Sequence, residues 1–246
     1  YMNIENKCYF CSKPAVSREH IPPQGLFPKG STFREELITV PSCKKHNEDK
    51  SDLDHRMLTF LLGTSKIVSE EGFQDVIGRV SRGVVRNIAT LTNMSKGVYF
   101  QKETKTLYIE NMNNTEAVVN YDDHRFYQEC ILRGLYLHEF NEIWGKDLFI
   151  IPTSLFGFEE SFKSIEYAFG IDMIKDDIEK SFSTSSKNKV FQYKSLHDEI
   201  VTVIGVCIYM NYYFYGVFTT PETLAKIRNL FSTDSPVTDF NKKKHI

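Results

Sequence analysis

The pattern of hydrophobic and polar positions divides the chain into a polar N-terminal segment and a more regular body. Residues 1–58 are dense in polar groups, turn residues and cysteines, and their apolar residues follow no regular period. Over 57–92 apolar residues recur at steps of three and four, which predicts helix. A second stretch, 122–144, has an aromatic and aliphatic face and also predicts a helix. We therefore expect two parts, residues 1–58 and 59–246.

Alternating apolar and polar residues, rich in Phe and Tyr, predict several strands in the body. These predicted strands occupy residues 98–110, 147–152, 190–196 and 200–219. The first range contains a polar turn and predicts a hairpin, and the last is expected to turn near Met210 and Asn211. The pattern over 157–189 is ambiguous. The predicted fold class is α+β, with a body of mixed helices and antiparallel sheet.

Composition is that of an ordinary globular protein. Of the 246 residues, 41% are hydrophobic and 25% are charged. The chain has no apolar run of about eighteen residues, so we expect no membrane-spanning helix. The first seven residues are polar, which argues against a secretory signal. We therefore expect a cytoplasmic protein that does not engage a membrane.

The net charge limits how the chain would bind nucleic acid. It is −2 at pH 7, with a pI of about 6.4. A stand-alone nucleic-acid binder usually carries a basic surplus, because neutralising phosphates supplies much of its affinity. Three alternatives stay open: the nucleic-acid contact is local, a partner assists it, or the substrate is something else.

The five cysteines are unevenly distributed. Cys8, Cys11 and Cys43 lie in the first fifth of the chain, whereas Cys130 and Cys207 stand alone in apolar patterns. A disulfide framework would spread and pair its cysteines, so a reducing compartment with one metal site fits better. We expect Cys130 and Cys207 to be buried, inert thiols.

Two ligand pairs with metal-binding spacing frame the N-terminal segment. They are Cys8-x-x-Cys11 and Cys43-x-x-His46. Three thiolates and one imidazole form a standard structural zinc set, and thiolates argue against magnesium or calcium, which prefer oxygen ligands. Four protein ligands leave no open position, so the predicted zinc is structural. The alternative is that these are ordinary small buried residues and a surface histidine.

Between and after these pairs lie polar residues that a zinc staple does not need. Glu19 and His20 precede Pro22 and Pro23, and prolines there predict a rigid, extended exit. Asn47 directly follows the last zinc ligand, where a helix is expected to begin. Asparagine is a good helix cap, so capping is its simplest role. A surface charge pair is the simplest role for Glu19 and His20.

The combination of motifs resembles a known nuclease family. The two ligand pairs, "EHIPP", "LITVPSC" and "HNEDKSD" are similar to the HNH (ββα-metal) motif, and most similar to bacterial HNH endonuclease-like proteins with zinc. "KHNEDKSD" is also similar to a helix in the HNH domain of RNA-guided CRISPR nucleases. The resemblance covers about residues 8–55. It implies an N-terminal zinc-stapled ββα-metal module and a metal-dependent endonuclease that hydrolyses DNA.

The chemistry of phosphodiester hydrolysis assigns roles to these residues. A base must deprotonate water and a cation must stabilise the leaving oxygen. His20 suits the base, and the resemblance implies that Glu19 and Asn47 bind a catalytic Mg²⁺ or Mn²⁺. Asn47 is our choice for the third residue of the motif, with His55 as the alternative; a solvated helix histidine is the simpler role of His55. Many relatives have cysteine at the position of His46 and aspartate at that of Glu19.

Several basic residues flank this predicted site. Those predicted to contact DNA phosphates are Arg18, Lys44, Lys45 and Lys50. Solvated surface is the simpler alternative for all four. The resemblance further implies an effector of a restriction or anti-phage system, working beside an ATPase or another sensor. The alternative function is a zinc-stapled module that binds nucleic acid or protein without nuclease activity.

Overall fold

A computed structural model describes residues 6–29, 34–35, 37–64, 97–101, 106–110, 115–152, 171–184, 189–210 and 212–230. In these ranges the strands are β1 (Ser17–Ile21), β2 (Ile38–Ser42), β3 (Gly97–Gln101), β4 (Thr106–Glu110), β5 (Thr115–Asn120), β6 (Phe149–Pro152), β7 (Phe191–His197), β8 (Val201–Ile208) and β9 (Tyr212–Thr219). The helices are α1 (Ser51–Thr64), α2 (Tyr121–Phe140), α3 (Ile171–Ser181) and α4 (Pro221–Leu230). Short 3-10 turns occupy Gln24–Leu26, Lys44–His46 and Glu48–Lys50.

The strands form three antiparallel sheets. β1 and β2 make a two-stranded hairpin in which Ser17 pairs with Ser42 and Ile21 with Ile38. β3, β4 and β5 form a second sheet in sequential order. The third sheet has the order β6-β9-β8-β7. Mixed helices and antiparallel sheets confirm the predicted α+β class.

The four-stranded sheet is covered on both faces. On one face Leu132 of α2 contacts the backbone at Gly216, and on the other Ile174 of α3 contacts that at Gly205. Alternate residues of β8 and β9 accordingly belong to two separate apolar clusters. Burial on both faces explains why these strands are almost continuously apolar in sequence.

The helix α2 connects the sheet to the N-terminal hairpin. The side chain of Asn120 caps its first turn by accepting a hydrogen bond from the Asp122 amide at 2.9 Å. The helix was predicted to reach residue 144 but ends at Phe140, because Asn141 adopts the left-handed conformation with φ 50°. Gly134, in the middle of α2, lies directly against the side chain of Ile21 in β1.

The predicted boundary at residue 58 falls inside α1. Phe60 and Leu61 of this helix are fully buried in the same apolar cluster as Leu132 and Leu135 of α2. The described part of the N-terminal segment therefore shares one core with the described part of the body.

Most of the predicted strands are present. The range 98–110 forms β3 and β4, 147–152 contains β6, and the last two ranges form β7, β8 and β9. The turn between β8 and β9 includes Tyr209 and Met210, both with positive φ. The sequence did not predict β5, α3 or α4. The helix predicted over 57–92 is present to Thr64, and its remainder lies outside the described residues. No helix in the described ranges is both long and apolar enough to cross a membrane.

Candidate functional site

The cysteine and histidine pairs of the N-terminal segment come together at one end of the β1–β2 hairpin. Cys8 and Cys11 lie in a turn before β1, in which the Cys8 amide donates to the Lys13 carbonyl at 2.7 Å. Cys43 directly follows β2, and His46 ends the 3-10 turn Lys44–His46. Pairing of β1 with β2 therefore brings the two ligand pairs together across about thirty residues of chain.

The four side chains are arranged as a metal site. The Nδ1 atom of His46 lies 3.4 Å from Sγ of Cys8 and 3.3 Å from Sγ of Cys43. The Sγ atoms of Cys11 and Cys43 are 3.8 Å apart, and all four ligand atoms lie within 4.8 Å of one another. Tetrahedral zinc with Zn–S bonds of about 2.3 Å requires sulfur atoms about 3.8 Å apart. The donor set and spacing fit a structural zinc ion, as the sequence predicted.

Aromatic residues support this cluster from the side of the body. The ring of Phe10 stacks on His46 with centroids 4.3 Å apart, and Phe126 of α2 lies 6.0 Å from His46. The Arg133 guanidinium, also from α2, lies 4.9 Å from the centre of the Phe10 ring. Burial alone raises the pKa of Cys8, but hydrogen bonds from His46 and the backbone lower it to about 6. A thiol with this pKa readily supplies the thiolate that zinc binds.

A pocket of about 330 Å³ opens between the hairpin and α1. Its polar lining residues are Glu19, His20, Gln24, Asn47, Ser51, Asp54 and His55. Three of them, Glu19, His20 and Asn47, are the predicted catalytic residues. His55, the alternative third residue of the motif, lines the same pocket. The two histidines considered for catalysis, His20 and His55, thus share one cavity with Glu19 and Asn47, the predicted ligands of the catalytic ion.

His20 is presented by β1 opposite Thr39 of β2. Its side chain is half-buried, and burial together with the charge of Arg34 lowers its pKa below the usual 6.5. At neutral pH the imidazole is therefore mostly uncharged. A neutral imidazole can accept a proton, which is what a general base must do.

Asn47 binds to the hairpin instead of capping a helix. Its side-chain amide donates to the Ser17 hydroxyl at 2.9 Å and to the Arg18 carbonyl at 3.0 Å. It makes no capping bond to the following 3-10 turn, and α1 begins only at Ser51. The capping role is therefore wrong. With the amide nitrogen held by β1, the carbonyl oxygen is the side-chain atom that remains for a ligand.

Glu19, beside His20 in sequence, belongs to a buried chain of ion pairs. The Lys50 ammonium donates to Oε1 of Glu19 at 2.8 Å and to both carboxylate oxygens of Asp54 at 2.8 and 2.7 Å. Exposed fractions of the side chains are 3% for Lys50, 5% for Glu19 and 21% for Asp54. Lys50 is therefore a buried partner of two carboxylates. This position does not favour its predicted contact with phosphate.

Burial and these charges shift the pKa values of the three groups. Burial raises the pKa of Glu19 to about 7, which the Lys50 ammonium only partly offsets. Burial also raises the pKa of Asp54. For Lys50 burial acts to lower the pKa, but Asp54 and Glu19 outweigh it and raise the pKa above 10.5. The ammonium therefore stays charged while Glu19 lies close to its titration point at neutral pH.

The body supplies the surroundings of this ion-pair chain. Tyr127 of α2 is fully buried, and burial and the charges of Asp54 and Glu19 raise its pKa. Cys130, one turn later, is also buried, and its pKa is raised by burial despite the nearby charge of Lys50. This burial confirms the expectation for Cys130, and Cys207 is buried as well. The helix α2 thus lies beside both the cysteine cluster and the ion-pair chain behind the pocket.

The other basic residues lie outside the pocket. Arg18 donates to the hydroxyl of Thr39 at 3.0 Å and to its carbonyl at 2.9 Å, on the exposed side of the hairpin. Lys44 and Lys45 are exposed on the turn between Cys43 and His46. All three side chains are exposed, and their contact with DNA stays a prediction.

Sequence reasoning missed the role of Asp54. The Lys50–Asp54 spacing of four residues is the usual signal for an ion pair on a helix. The partnership of Lys50 with Glu19, thirty-one residues away, gives no local signal in the sequence. It depends on how α1 packs against β1.

Comparison with known proteins assigns the chain to no family. No family model matches it, and no curated protein or solved structure is significantly similar to it.

Proposed function

We propose that the protein is a metal-dependent endonuclease of the HNH type that hydrolyses phosphodiester bonds in DNA. The observation that carries the proposal is the pocket beside the cysteine cluster, which Glu19, His20 and Asn47 line together. They come from two segments separated by more than twenty residues. The order of an antiparallel hairpin followed by α1 is also that expected of a ββα-metal module.

In this function His20 is the general base. It lies on a rigid strand, is half-buried and is mostly neutral at pH 7. A water molecule held in the pocket would lose its proton to the imidazole as it attacks phosphorus. Loss of a general base lowers a rate by about 10²–10⁴-fold.

The oxygen atoms of Glu19 and Asn47 are suited to hold Mg²⁺ or Mn²⁺. Both ions prefer oxygen ligands and keep several water molecules when few protein ligands are present. When bound, such an ion stabilises the charge that develops on the leaving oxygen. The amide of Asn47 is fixed by Ser17 and Arg18, which orients its carbonyl without help from the ion.

DNA would approach from the exposed edge of the hairpin. Arg18, Lys44 and Lys45 lie there, and phosphate contacts from such residues position a duplex without reading its bases. The net charge of −2 argues for weak intrinsic DNA affinity. Weak affinity suits an effector of restriction or anti-phage defence that acts beside an ATPase or sensor. Rapid, complete degradation of DNA by the isolated protein at physiological salt would contradict that setting.

One observation favours a second function. The candidate metal ligand Glu19 is already paired with Lys50 at 2.8 Å. A module that binds nucleic acid or protein through its zinc-stapled surface, without cleavage, would have no need to release this carboxylate. The two functions differ in whether a second metal ion binds and whether DNA is cut.

Plasmid nicking distinguishes them. The zinc-loaded protein is incubated with supercoiled plasmid and Mg²⁺ or Mn²⁺, and relaxed DNA is measured over time. We expect nicking that His20→Ala lowers by about 10²–10⁴-fold. His138→Ala is the matched control, because His138 is exposed on α2 and does not line the pocket; it should nick at the wild-type rate.

The outcomes separate cleanly. Equal nicking by the wild-type protein and His20→Ala would reject the nuclease assignment and point to a contaminant. Binding of DNA in a gel-shift assay without nicking, with either metal and a range of sequences, would favour the second function.

A further inference from the structure

We propose that Lys50 and Asp54 are positioning residues that hold the Glu19 carboxylate in the orientation in which it binds the catalytic ion. This inference rests on the proposed function, in which Glu19 is a ligand of Mg²⁺ or Mn²⁺. It adds Asp54 to the site and gives Lys50 a role other than phosphate contact.

The hydrogen bonds are unequal in a way that suits positioning. Lys50 gives Glu19 one hydrogen bond, through Oε1, whereas Asp54 accepts through both of its oxygens. Asp54 therefore takes the larger share of the ammonium charge. Glu19 is held at one oxygen and has the other for a ligand in the pocket that it lines.

Burial makes this arrangement stiff. The Lys50 side chain is only 3% exposed and that of Glu19 only 5% exposed. A buried charge without a partner is costly, so neither group can leave the pair cheaply. Asp54, with 21% of its side chain exposed, is the member of the chain nearest to solvent.

The three charged groups come from two different parts of the fold, so the orientation of the Glu19 carboxylate depends on how these parts pack. Glu19 lies on β1, while Lys50 and Asp54 lie at the end of a 3-10 turn and in the first turn of α1. The ion-pair chain therefore fixes the strand that carries His20 against the helix that forms the other wall of the pocket. Partners behind a metal ligand typically change metal affinity or activity about 10–100-fold when they are removed.

A competing role for Lys50 predicts the opposite change in metal affinity when Lys50 is removed. If the ammonium merely occupied the position of the metal ion, its removal would free Glu19 and tighten metal binding. If it positions Glu19, its removal lets the carboxylate rotate away from its place in the pocket, and metal binding weakens. The sign of the change in affinity decides between the two roles.

The experiment measures Mn²⁺ binding directly. Free and bound Mn²⁺ are distinguished by electron paramagnetic resonance in the zinc-loaded full chain, without DNA. The variants are Lys50→Met, Asp54→Asn and Asp54→Glu. Asp52→Asn is the matched control, because it makes the same chemical change at an exposed position of the same helical turn. Zinc content and the thermal unfolding midpoint show that each variant is folded, and nicking is then measured against Mn²⁺ concentration.

We expect Lys50→Met and Asp54→Asn to raise the Mn²⁺ dissociation constant about 10-fold or more. Asp54→Glu keeps the charge but is one methylene longer, so we expect it to raise the dissociation constant by a smaller factor than Asp54→Asn does. Asp52→Asn should bind like the wild type. In the nicking assay the same variants should need more Mn²⁺ for half-maximal rate, a change that destabilisation alone does not produce in a folded protein.

Tighter Mn²⁺ binding by Lys50→Met, or unchanged binding by Asp54→Asn, would overturn the inference. If Lys50→Met and Asp54→Asn both fail to fold, Asp54→Glu decides. A dissociation constant raised about threefold supports positioning, because the longer side chain displaces the ammonium, and a wild-type constant overturns it.

Failure of this inference is distinguishable from failure of the proposed function. A wild-type protein that binds Mn²⁺ with the expected variant pattern but does not nick DNA rejects the nuclease and keeps the positioning role. If the wild-type protein nicks DNA and Asp54→Asn nicks it with the same dependence on Mn²⁺, the nuclease assignment stands and the positioning role is rejected. A wild-type protein that binds no Mn²⁺ beyond the zinc site overturns the positioning role, because Glu19 is then no metal ligand.

Discussion

The cysteine cluster and the pocket lie side by side in the N-terminal segment but are built differently. In the cluster, four ligand atoms within 4.8 Å of one another face a common centre. In the pocket, the candidate ligands are shared with protein groups: Glu19 with Lys50, and Asn47 with Ser17 and Arg18. The first arrangement suits a metal ion that is a permanent part of the structure. The second suits an ion that is bound weakly through a few oxygen atoms.

This difference shows where each site gets its geometry. The cysteine cluster needs only two short turns and one strand pairing to bring its four residues together, and a metal ion bound there would supply the stabilising energy. The pocket has no such internal source of order. Its side chains are placed by the packing of β1 against α1 and α2, and by the ion-pair chain through Lys50. We therefore expect the cluster to respond to metal and the pocket to respond to packing and charge.

Removal of zinc should have the largest effect. Structural zinc supplies about 10–16 kcal/mol in small zinc modules, which is as large as the total stability of a typical domain. We expect Cys43→Ser, or chelation of the wild type, to abolish cooperative folding of the N-terminal segment. Metal analysis and thermal unfolding test this. The control is Cys207→Ala, which removes a buried thiol outside the cluster and should keep one zinc per chain. If Cys43→Ser were as stable as the wild type, the cluster would not depend on its metal for order.

A packing change beneath the hairpin should affect the pocket and spare the cluster. A Cβ atom at Gly134 would lie 2.5 and 2.6 Å from side-chain atoms of Ile21, which directly follows His20. Such overpacking costs about 1–3 kcal/mol. Alanine in the interior of a helix recovers about 1 kcal/mol over glycine, so we expect Gly134→Ala to lower the free energy of unfolding in denaturant titrations by about 2 kcal/mol at most and to retain the metal of the cluster. Gly145→Ala, where a Cβ meets no atom within 4 Å, is the control; equal stability of the two variants would show that α2 does not hold β1 this tightly.

Metal binding in the pocket should depend on pH through the Glu19 carboxyl group. The pKa of Glu19 is about 7, and the proton must leave before the carboxylate binds an ion. The Mn²⁺ affinity should therefore rise with pH, by up to tenfold per unit below pH 7, and level off above it. His20, whose pKa is lowered below 6.5, is mostly neutral at pH 7 and above. Electron paramagnetic resonance between pH 5.5 and 8.5 tests this, and a flat profile in the wild type would exclude Glu19 as the controlling group.

The exposed ion pair between the helices should matter least. Arg56 of α1 and Asp123 of α2 are 2.9 Å apart, but 45% and 46% of their side chains are exposed. Exposed pairs contribute about 0.2–1 kcal/mol and are screened by salt. We expect Arg56→Ala to lower stability by no more than this, and the difference to vanish in about 1 M salt. A larger loss would mean that charge as well as packing joins α1 to α2.

The zinc ligands could be read from the sequence because their signal is local. Each pair needs only the spacing of two residues in a tight turn, and thiolates and imidazole define the metal. The strands of the main sheet were equally readable, since burial on both faces leaves long apolar runs. In contrast, α3 and α4 were missed because they are short, with 11 and 10 residues. The end of α2 was set by the left-handed conformation of Asn141.

By itself the sequence determined the α+β class, the ligands of the zinc cluster and the set of polar residues from which a catalytic site could be built. Only the tertiary structure decided that Lys50 is buried between Glu19 and Asp54, that Asn47 binds β1 instead of capping a helix, and that α2 lies behind both sites. The reason is physical. Spacing along the chain fixes contacts within a turn, whereas contacts between β1, α1 and α2 depend on how their apolar faces pack, and a residue's role there is set by neighbours far away in sequence.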